Sequence, residues 1–289
     1  MSFSSNVKLY VEVAKLKIVY LLVFTAFASM IVCSGPTIPW VTIGIIVLAV
    51  SLGSSGANVL TGYLDRDIDA IMNRTKNRPI PSGRISPNKA LSYGLTLSSL
   101  SLILSFYINP LSALFMFIGL FDNVIIYSKI LKRRNPSNII LGGISGGMPI
   151  LVGYAALPSP EKSWIAAGLM AVLVILWIPP HIWSLALHSK EDYKLAKVPM
   201  LPVIISERTS VRIISITSMI TVFFSILLYY VGIFGLIYLI TASILGLIIM
   251  LYSFILILDP SEEKAWKFFK FSSPYLALLF IGMIVDFLI

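Results

Sequence analysis

Three aspartates, Asp65, Asp67 and Asp69, stand directly after a long stretch without any charged side chain. On a helix, Asn58, Thr61, Asp65 and Asp69 would share one face, because residues three or four apart are neighbours, whereas Asp67 would point away. Carboxylate and amide oxygens suit a hard cation such as Mg²⁺, which commonly bridges to substrate phosphates. The spacing therefore predicts a metal site with Asn58, Asp65 and Asp69 as ligands.

A basic segment rich in proline and glycine, residues 73–84, follows the aspartates at once. Guanidinium groups bind phosphate oxygens in pairs, so this loop is predicted to fold over a bound diphosphate. An ordinary basic loop at a membrane surface, with acids for charge balance, is the alternative that the residues alone leave open. The cations predicted to bind phosphate are Arg74, Lys76, Arg78 and Arg84.

The elements that position these residues must lie in a membrane. Of the 289 residues, 57% are hydrophobic and only 12% are charged, whereas a soluble domain carries about 25% charged residues. Apolar runs of about 20 residues span a bilayer as helices. Nine such runs predict an all-α polytopic membrane protein with one domain, residues 1–289. The predicted spans are 16–34, 40–62, 90–107, 110–130, 138–157, 163–188, 211–231, 234–257 and 270–289.

Basic residues mark one side of the predicted bundle. Every lysine and arginine except Lys162 lies on the side that carries the N-terminus. The positive-inside rule makes that side, with the aspartates, cytoplasmic and places the C-terminus outside. Residues 1–17 have neither a signal-peptide cleavage site nor the composition of a transit peptide, which favours the plasma membrane of a prokaryote. Because no basic domain stands outside the spans, we predict no nucleic-acid partner.

Three segments carry a family resemblance. They are DRDID at residues 65–69 with the basic loop behind it, YSKILKRRNPSN at 127–138, and WIPPHIW at 177–183 followed by Asp192-Tyr. Together they resemble the UbiA superfamily of membrane prenyltransferases and, within it, the haem O synthase branch. The resemblance covers about residues 15–289.

This resemblance implies nine transmembrane helices around a central cavity that opens to the membrane. It implies a Mg²⁺-dependent enzyme that cleaves farnesyl diphosphate and transfers the farnesyl group to a vinyl group of haem b, with hydration, to give haem O. The implied cofactor is Mg²⁺, and the implied substrates are farnesyl diphosphate and haem b. The implied partners are membrane lipids and a haem A synthase or oxidase-assembly protein.

The resemblance also implies roles for individual residues. Asp65, Asp69 and His181 are expected to be catalytic, and Asp192 stands where a second group of metal ligands is expected. The chain departs from the superfamily pattern at Thr61, where asparagine is usual. The other residues expected to bind substrate are Tyr127, Lys132, Arg133, Asn138, Trp177 and Trp183.

Two histidines and one acid keep alternative roles. His181 follows two prolines in an apolar segment, where an imidazole needs a partner. An axial or propionate contact to haem, proton transfer and plain helix packing stay open for it. His188 is ~10 Å further along a helix, too far to share a small ion with His181. Asp122 is predicted either to pair with Lys129 or to contact the cavity. Aromatic residues of the third motif fit a flat porphyrin or the membrane interface.

Two other functions stay open. A prenyltransferase of the same superfamily that acts on a quinone precursor or a lipid would share the aspartates, but the motifs around Tyr127 and His181 argue against it. A transporter would fit an intramembrane acid such as Asp122. However, the sequence has no obvious inverted repeat, and its acids gather at one membrane face.

Overall fold

The computed structural model describes residues 3–34, 39–158 and 161–289 and is built from helices, with no strand in these ranges. Nine helical segments of the described ranges are long and apolar enough to cross a bilayer, so the predicted all-α membrane fold is confirmed. The spans are α2 (Leu16–Ser34), α3 (Trp40–Leu64), α5 (Pro87–Ile108), α6 (Pro110–Phe121) with a π-helical segment (Asp122–Leu131), α7 (Asn138–Leu141) with α8 (Ile144–Ala155), α9 (Trp164–His188), α12 (Glu207–Tyr230), α13 (Leu236–Leu258) and α14 (Glu262–Leu288).

Four shorter helices complete the described fold: α1 (Phe3–Ala14), α4 (Arg66–Ile71), α10 (Lys190–Leu195) and α11 (Leu201–Ile204). Because consecutive spans alternate in direction, all four lie at the same end of the bundle. We call this end, which comprises α1 and residues 65–86, 129–137, 189–208 and 259–264, the basic end. Lys15 separates α1 from α2 with a φ of 54°, so the chain turns sharply where it enters the first span.

Two spans begin earlier than their apolar runs. The Ser206 hydroxyl accepts a hydrogen bond from the Thr209 N–H at 3.2 Å and starts α12. The Ser261 hydroxyl accepts one from the Lys264 N–H at 3.4 Å and starts α14. Serine caps satisfy the free N–H groups of a first turn. Capping therefore extends both helices out of the apolar layer, beyond the limits that hydropathy predicts.

Glycines let α8 pack closely between α2 and α9. A Cβ at Gly147 would lie 2.8 Å from the Ala171 carbonyl oxygen of α9, and one at Gly153 would lie 2.7 Å from the Ala26 oxygen of α2. Helices in membranes commonly use small residues for such contacts. The packed helices surround a chamber of about 800 Å³, which is within the size range of ligand-binding cavities.

The π-helical segment Asp122–Leu131 continues α6 toward the basic end. π-Helical turns are rare and occur frequently at functional sites. At its start, Asp122 Oδ2 accepts a hydrogen bond of 2.8 Å from the Ser145 N–H in the first turn of α8. Asp122 therefore accepts a hydrogen bond from one of the free N–H groups in the first turn of α8. It does not form the ion pair with Lys129 that the sequence left open, since the described residues contain no such pair.

Candidate active site

The acidic cluster lies where α3 meets α4 at the basic end. Helical hydrogen bonds continue across the junction, from the Asp65 N–H to the Thr61 oxygen at 2.9 Å and from the Asp69 N–H to the Asp65 oxygen at 2.8 Å. Asp65 and Asp69 are buried, 5% and 4% exposed, whereas the Asp67 side chain is 63% exposed. The burial agrees with the face that the spacing predicts.

Each aspartate is paired with one cation. Lys132 Nζ lies 2.5 Å from Asp65 Oδ2, and Arg78 Nη1 lies 2.8 Å from Asp69 Oδ2. Buried carboxylates need such partners, because an unpaired buried charge is strongly destabilising. At the surface, Arg133 donates to both Asp67 oxygens, at 2.6 and 2.5 Å.

These pairings shift the pKa values of two groups at the basic end. The hydrogen bond from Arg133 lowers the pKa of Asp67 below its usual value. Burial alone would lower the pKa of Lys132, but the neighbouring Tyr127 and Asp65 raise it above its usual value. Both groups therefore stay charged near neutral pH, and the site holds fixed charges of both signs.

The oxygen donors at the site fit a magnesium ion. Asp65 Oδ1 is buried and has no hydrogen-bond partner within the described part of the chain. The Asn58 amide nitrogen donates to the Ala14 oxygen at 3.1 Å, which leaves the amide oxygen for a ligand. The Thr61 hydroxyl donates to the backbone carbonyl oxygen of Asn58 at 3.2 Å. No group of three His, Cys, Asp or Glu residues is gathered for one metal in the described ranges, and Mg²⁺ typically needs only one or two carboxylates beside water and phosphate.

The basic loop is fixed at several points. The buried Thr75 hydroxyl donates to the Asp69 carbonyl oxygen at 2.9 Å. Asp192 of α10 accepts hydrogen bonds from the Asn73 and Arg74 N–H groups, at 3.0 Å each. Arg74 itself points toward the Tyr193 hydroxyl, with an Nη2 to oxygen distance of 3.4 Å. The loop therefore lies beside the aspartates, and α10 holds it there.

Two predicted phosphate ligands have partners of their own. Arg84 binds both carboxylate oxygens of Glu12 in α1, at 2.8 and 2.7 Å, and also the Asn77 carbonyl oxygen. Lys76 Nζ donates to Asn73 Oδ1 at 2.9 Å and is exposed. Arg84 thus ties α1 to the loop, a role for which the loop sequence carries no signal.

Tyr127 connects the acidic cluster to the central chamber. Its ring lines the chamber and lies 5.7 Å from Lys132 Nζ. Gly142 makes room for it, because a Cβ there would lie 2.6 Å from the Tyr127 Cβ. Asn138 is fully buried, and its amide nitrogen reaches the Lys132 carbonyl oxygen at 3.5 Å. Tyr127 and Asn138 therefore support the lysine that pairs with Asp65.

A column of five nearly parallel rings joins α9 to α14. His181 is stacked between Trp177 and Phe269, with ring centroids 4.2 and 4.5 Å apart, and the stack continues through Trp266 to His188. Trp177 and His181 line the chamber. The column ends at the basic end with His188. His181 therefore packs α9 against α14, which is one of the roles that the sequence left open, and it also lines the chamber.

Ser272 contacts the His181 ring. Its hydroxyl oxygen lies 2.7 Å from the Phe269 carbonyl oxygen and 2.6 Å from His181 Nδ1. When the hydroxyl donates to the carbonyl, its oxygen accepts from the Nδ1 N–H, and the ring keeps a lone pair on Nε2. Nε2 has no hydrogen bond to any described residue. An imidazole in this state is a suitable ligand for iron.

Comparison with known proteins decides the family. The model of the UbiA prenyltransferase family matches residues 22–280. A protoheme IX farnesyltransferase of Desulforudis audaxviator is 47% identical over 98% of this chain and 90% of its own length. Protoheme IX farnesyltransferase 2 of Cenarchaeum symbiosum is 43% identical over 98% of this chain and 96% of its own length.

The chain belongs to the UbiA prenyltransferase family.

Solved structures show the same fold. The structure of a digeranylgeranylglyceryl phosphate synthase matches with a TM-score of 0.79 and 24% identity over 98% of this chain and 99% of that one. A UbiA homologue from Archaeoglobus fulgidus bound to GPP and Mg²⁺ matches with a TM-score of 0.60 and 17% identity, over 95% and 99% of the two chains. The arrangement of spans around the chamber is thus that of UbiA proteins.

In this UbiA-family chain, the predicted site residues fall into two groups. Asn58, Tyr127, Trp177 and His181 line the chamber, and the acidic cluster adjoins it at Tyr127, whose ring lies 5.7 Å from Lys132 Nζ. Trp183 is buried but is not part of the chamber lining. Two regions therefore make up the candidate site: a charged rim at the basic end and an apolar chamber next to it.

Two residues beside the candidate site, Lys15 and Ser272, were not among the predicted site residues. The pKa of Lys15 falls to about 7, first because of burial and then because Arg78 and Lys132 are near, although Asp69 and Asp65 oppose the shift. Lys15 is thus a titratable group near the acidic cluster whose charge changes close to neutral pH. The sequence shows Lys15 only as one of several lysines before the first span, which does not distinguish it from Lys8 or Lys17. Ser272 resembles many other helical serines.

Proposed function

We propose that this chain is a protohaem IX farnesyltransferase, which transfers the farnesyl group of farnesyl diphosphate to a vinyl group of haem b and hydrates the product to haem O. The observation that carries the proposal is the pairing of buried Asp65 and Asp69 with Lys132 and Arg78, next to an apolar chamber that Tyr127 lines 5.7 Å from Lys132 Nζ. The names of the relatives support the choice of haem as acceptor.

The charged rim supports binding of the diphosphate. Asp65, Asp69 and the Asn58 amide oxygen would hold Mg²⁺, which neutralises charge on the leaving diphosphate when it is bound. Lys132 and Arg78 would then exchange part of their carboxylate contacts for phosphate oxygens, which charge-assisted hydrogen bonds favour. The substrate-binding residues of the rim in this proposal are Arg74, Lys76, Arg78, Lys132 and Arg133.

The chamber supports the transfer step. The bond between C1 of the farnesyl group and the diphosphate oxygen breaks, and the terminal carbon of the haem vinyl group bonds to C1. The remaining vinyl carbon, next to the porphyrin ring, is left with the positive charge. Water adds there as a hydroxyl group and releases a proton. Fixed charges at the rim stabilise the charge that develops on the leaving oxygens, and the apolar walls limit early attack by water.

His181 supports the binding of haem. Its ring is stacked face to face between Trp177 and Phe269, and with Nδ1 in contact with Ser272 the Nε2 atom has no hydrogen bond to a described residue. We propose that Nε2 binds the haem iron and thereby orients the vinyl group toward the rim. Trp177 would contact the flat macrocycle. Neither Asp192 nor Trp183 lines the chamber. A metal contact for Asp192 and a substrate contact for Trp183 therefore stay predictions.

We further propose that the basic end faces the cytoplasm of a prokaryotic cell, with the C-terminus on the other side of the plasma membrane. The distribution of lysine and arginine supports this orientation. Haem O would leave into the membrane, where a haem A synthase or an oxidase-assembly protein would receive it. That partner stays a prediction.

The test is incubation of the purified protein with haem b, farnesyl diphosphate and Mg²⁺, followed by mass analysis of the porphyrin. The expected product carries one farnesyl group and one hydroxyl group more than haem b, and one diphosphate is released per product. Unchanged porphyrin would refute the proposal. Consumption of farnesyl diphosphate only with a quinone precursor or a glycerol phosphate lipid would instead identify another UbiA prenyltransferase.

A further inference from the structure

The carboxylate of Asp192 is bound to the backbone of a distant loop. Its Oδ1 accepts from the Asn73 N–H and its Oδ2 from the Arg74 N–H, each at 3.0 Å, across about 120 positions of sequence. Both oxygens are used, one for each of two consecutive amides. Hydrogen bonds to an ionised acceptor are roughly twice as strong as neutral ones. This pair of bonds therefore holds the loop firmly to α10.

The opposite side of the same loop segment is attached to the acidic cluster. The Thr75 hydroxyl donates to the Asp69 carbonyl oxygen at 2.9 Å and is fully buried. Residues 73–75 thus lie between α10 and the helix that carries Asp69. The neighbour of Asp192 in α10, Tyr193, also meets the Arg74 guanidinium at 3.4 Å. Backbone and side chain of Arg74 are both fixed from α10.

We propose that Asp192 is a positioning residue that clasps residues 73–75 and so orders Arg74 for the diphosphate before it binds. The inference rests on the proposed function, which gives Arg74 its ligand. A loop that is ordered in advance loses less conformational freedom on binding, and this gain appears as affinity. The role differs from that of a metal ligand, which is what the resemblance implies for Asp192.

The first experiment measures the clasp without substrate or Mg²⁺. In Asp192→Asn, hydrogen exchange at the amides of residues 73 and 74 is expected to be at least about tenfold faster than in wild type, because one charged acceptor is lost. The matched control is Glu191→Gln, since Glu191 is the adjacent acid, is 68% exposed and, among the described residues, pairs only with Lys194, at 3.9 Å. Exchange that stays at the wild-type rate in Asp192→Asn would overturn the proposal.

The second experiment separates a clasp from a metal ligand. The KM for farnesyl diphosphate is expected to rise about tenfold in Asp192→Asn at saturating Mg²⁺, with kcat within about threefold of wild type. The Mg²⁺ concentration for half-maximal rate should stay unchanged. A rise in that concentration together with an unchanged KM would overturn the clasp and favour a metal ligand.

A variant of the donor side guards against misfolding of Asp192→Asn. Asn73→Pro removes the N–H that Oδ1 accepts, and Met72 before it already has φ −72° and ψ 128°, which a following proline favours. Asn73→Ala is its control, because it keeps the N–H and loses only the Lys76 contact. Asn73→Pro should raise KM as Asp192→Asn does, and the double variant should add little. Equal KM values for Asn73→Pro and Asn73→Ala would contradict the clasp.

The two proposals can fail separately. Hydrogen exchange needs no substrate, so a clasp can be present in a protein that does not convert haem b. Wild-type protein without haem conversion would refute the proposed function only. Normal haem conversion with unaltered exchange in Asp192→Asn would refute the clasp only.

Discussion

Lys132 Nζ lies 2.5 Å from Asp65 Oδ2, 67 residues away in sequence, while the other oxygen of Asp65 is buried without a partner in the described structure. Only one of the two carboxylate oxygens is therefore paired within the described structure, and the other keeps its lone pairs for a ligand. This arrangement suits a site in which a cation and a diphosphate enter together.

Asp65→Asn is expected to lower farnesyl transfer by at least about 100-fold, because an amide supplies no negative charge for a divalent cation or for Lys132. Haem b binding should persist, since the chamber is unchanged. Transfer is measured as the rate of porphyrin product and binding as a titration of the Soret band. The control is Asp67→Asn, whose exposed ion pair with Arg133 contributes at most about 1 kcal/mol. Equal rates in the two variants would contradict a role for Asp65.

Lys132→Gln is expected to raise the KM for farnesyl diphosphate at least about tenfold, because it removes a charge-assisted contact to the substrate and leaves Asp65 unpaired. Arg134→Gln removes an exposed neighbouring cation and should change KM by less than about twofold. Both KM values are measured at saturating haem b. A similar small change in both variants would mean that Lys132 serves the fold alone.

The fold could be predicted largely from hydropathy, because a bilayer of fixed thickness requires apolar helices of nearly fixed length. The predicted first span, 16–34, matches α2. The start of α14 lies eight residues before the predicted position 270, because a serine cap rather than apolarity sets it. Helix α1 was missed, since a short amphipathic helix at the surface leaves no long apolar run.

Residues of the candidate site could be predicted only where they lie close together in sequence. Asp65 and Asp69 share a helical face, and this spacing is visible in the sequence. The contact of Asp192 with the loop and that of His181 with Ser272, 91 residues away, arise from tertiary packing. Periodicity carries no information on such contacts. The resemblance supplied the residue types of these positions but not the bonds that they make.

Gly142→Ala is expected to lower both stability and turnover, because its Cβ would lie 2.6 Å from the Tyr127 Cβ and 2.8 Å from the Asn138 oxygen. Overpacking of this kind costs about 1–3 kcal/mol, and the displaced Tyr127 would disturb Lys132. Gly168→Ala is the control, since nothing lies within 4 Å of its Cβ. The Tm of thermal unfolding in detergent and the rate of haem conversion should both fall for Gly142→Ala and stay unchanged for Gly168→Ala. Loss of stability in both variants would contradict the packing explanation.

The stability of the protein in detergent is expected to rise with pH above about 7. Lys15 has a pKa of about 7 in the folded protein and 10.5 when unperturbed, so between these values the unfolded chain binds the extra proton. Stability rises with pH wherever the unfolded state binds more protons. Lys15→Met should remove this part of the pH dependence, whereas Lys8→Met, at an exposed position of α1, should keep it. Identical profiles for wild type and Lys15→Met would contradict the assignment.

Ser272→Ala is expected to weaken haem b binding about 10-fold or more, the usual effect of removing a partner that orients a metal-binding histidine. Without the hydroxyl, the Nδ1 proton loses its acceptor and the ring is no longer held in the form that exposes Nε2. His181→Ala should abolish the change in the Soret band altogether. The control is Ser184→Ala, because the Ser184 hydroxyl donates to the His181 carbonyl oxygen at 2.7 Å, whereas the described hydrogen bond of the ring is with Ser272. If Ser184→Ala and Ser272→Ala weaken haem binding equally, the loss reflects packing of α9, and His181 does not bind iron through a ring fixed by Ser272.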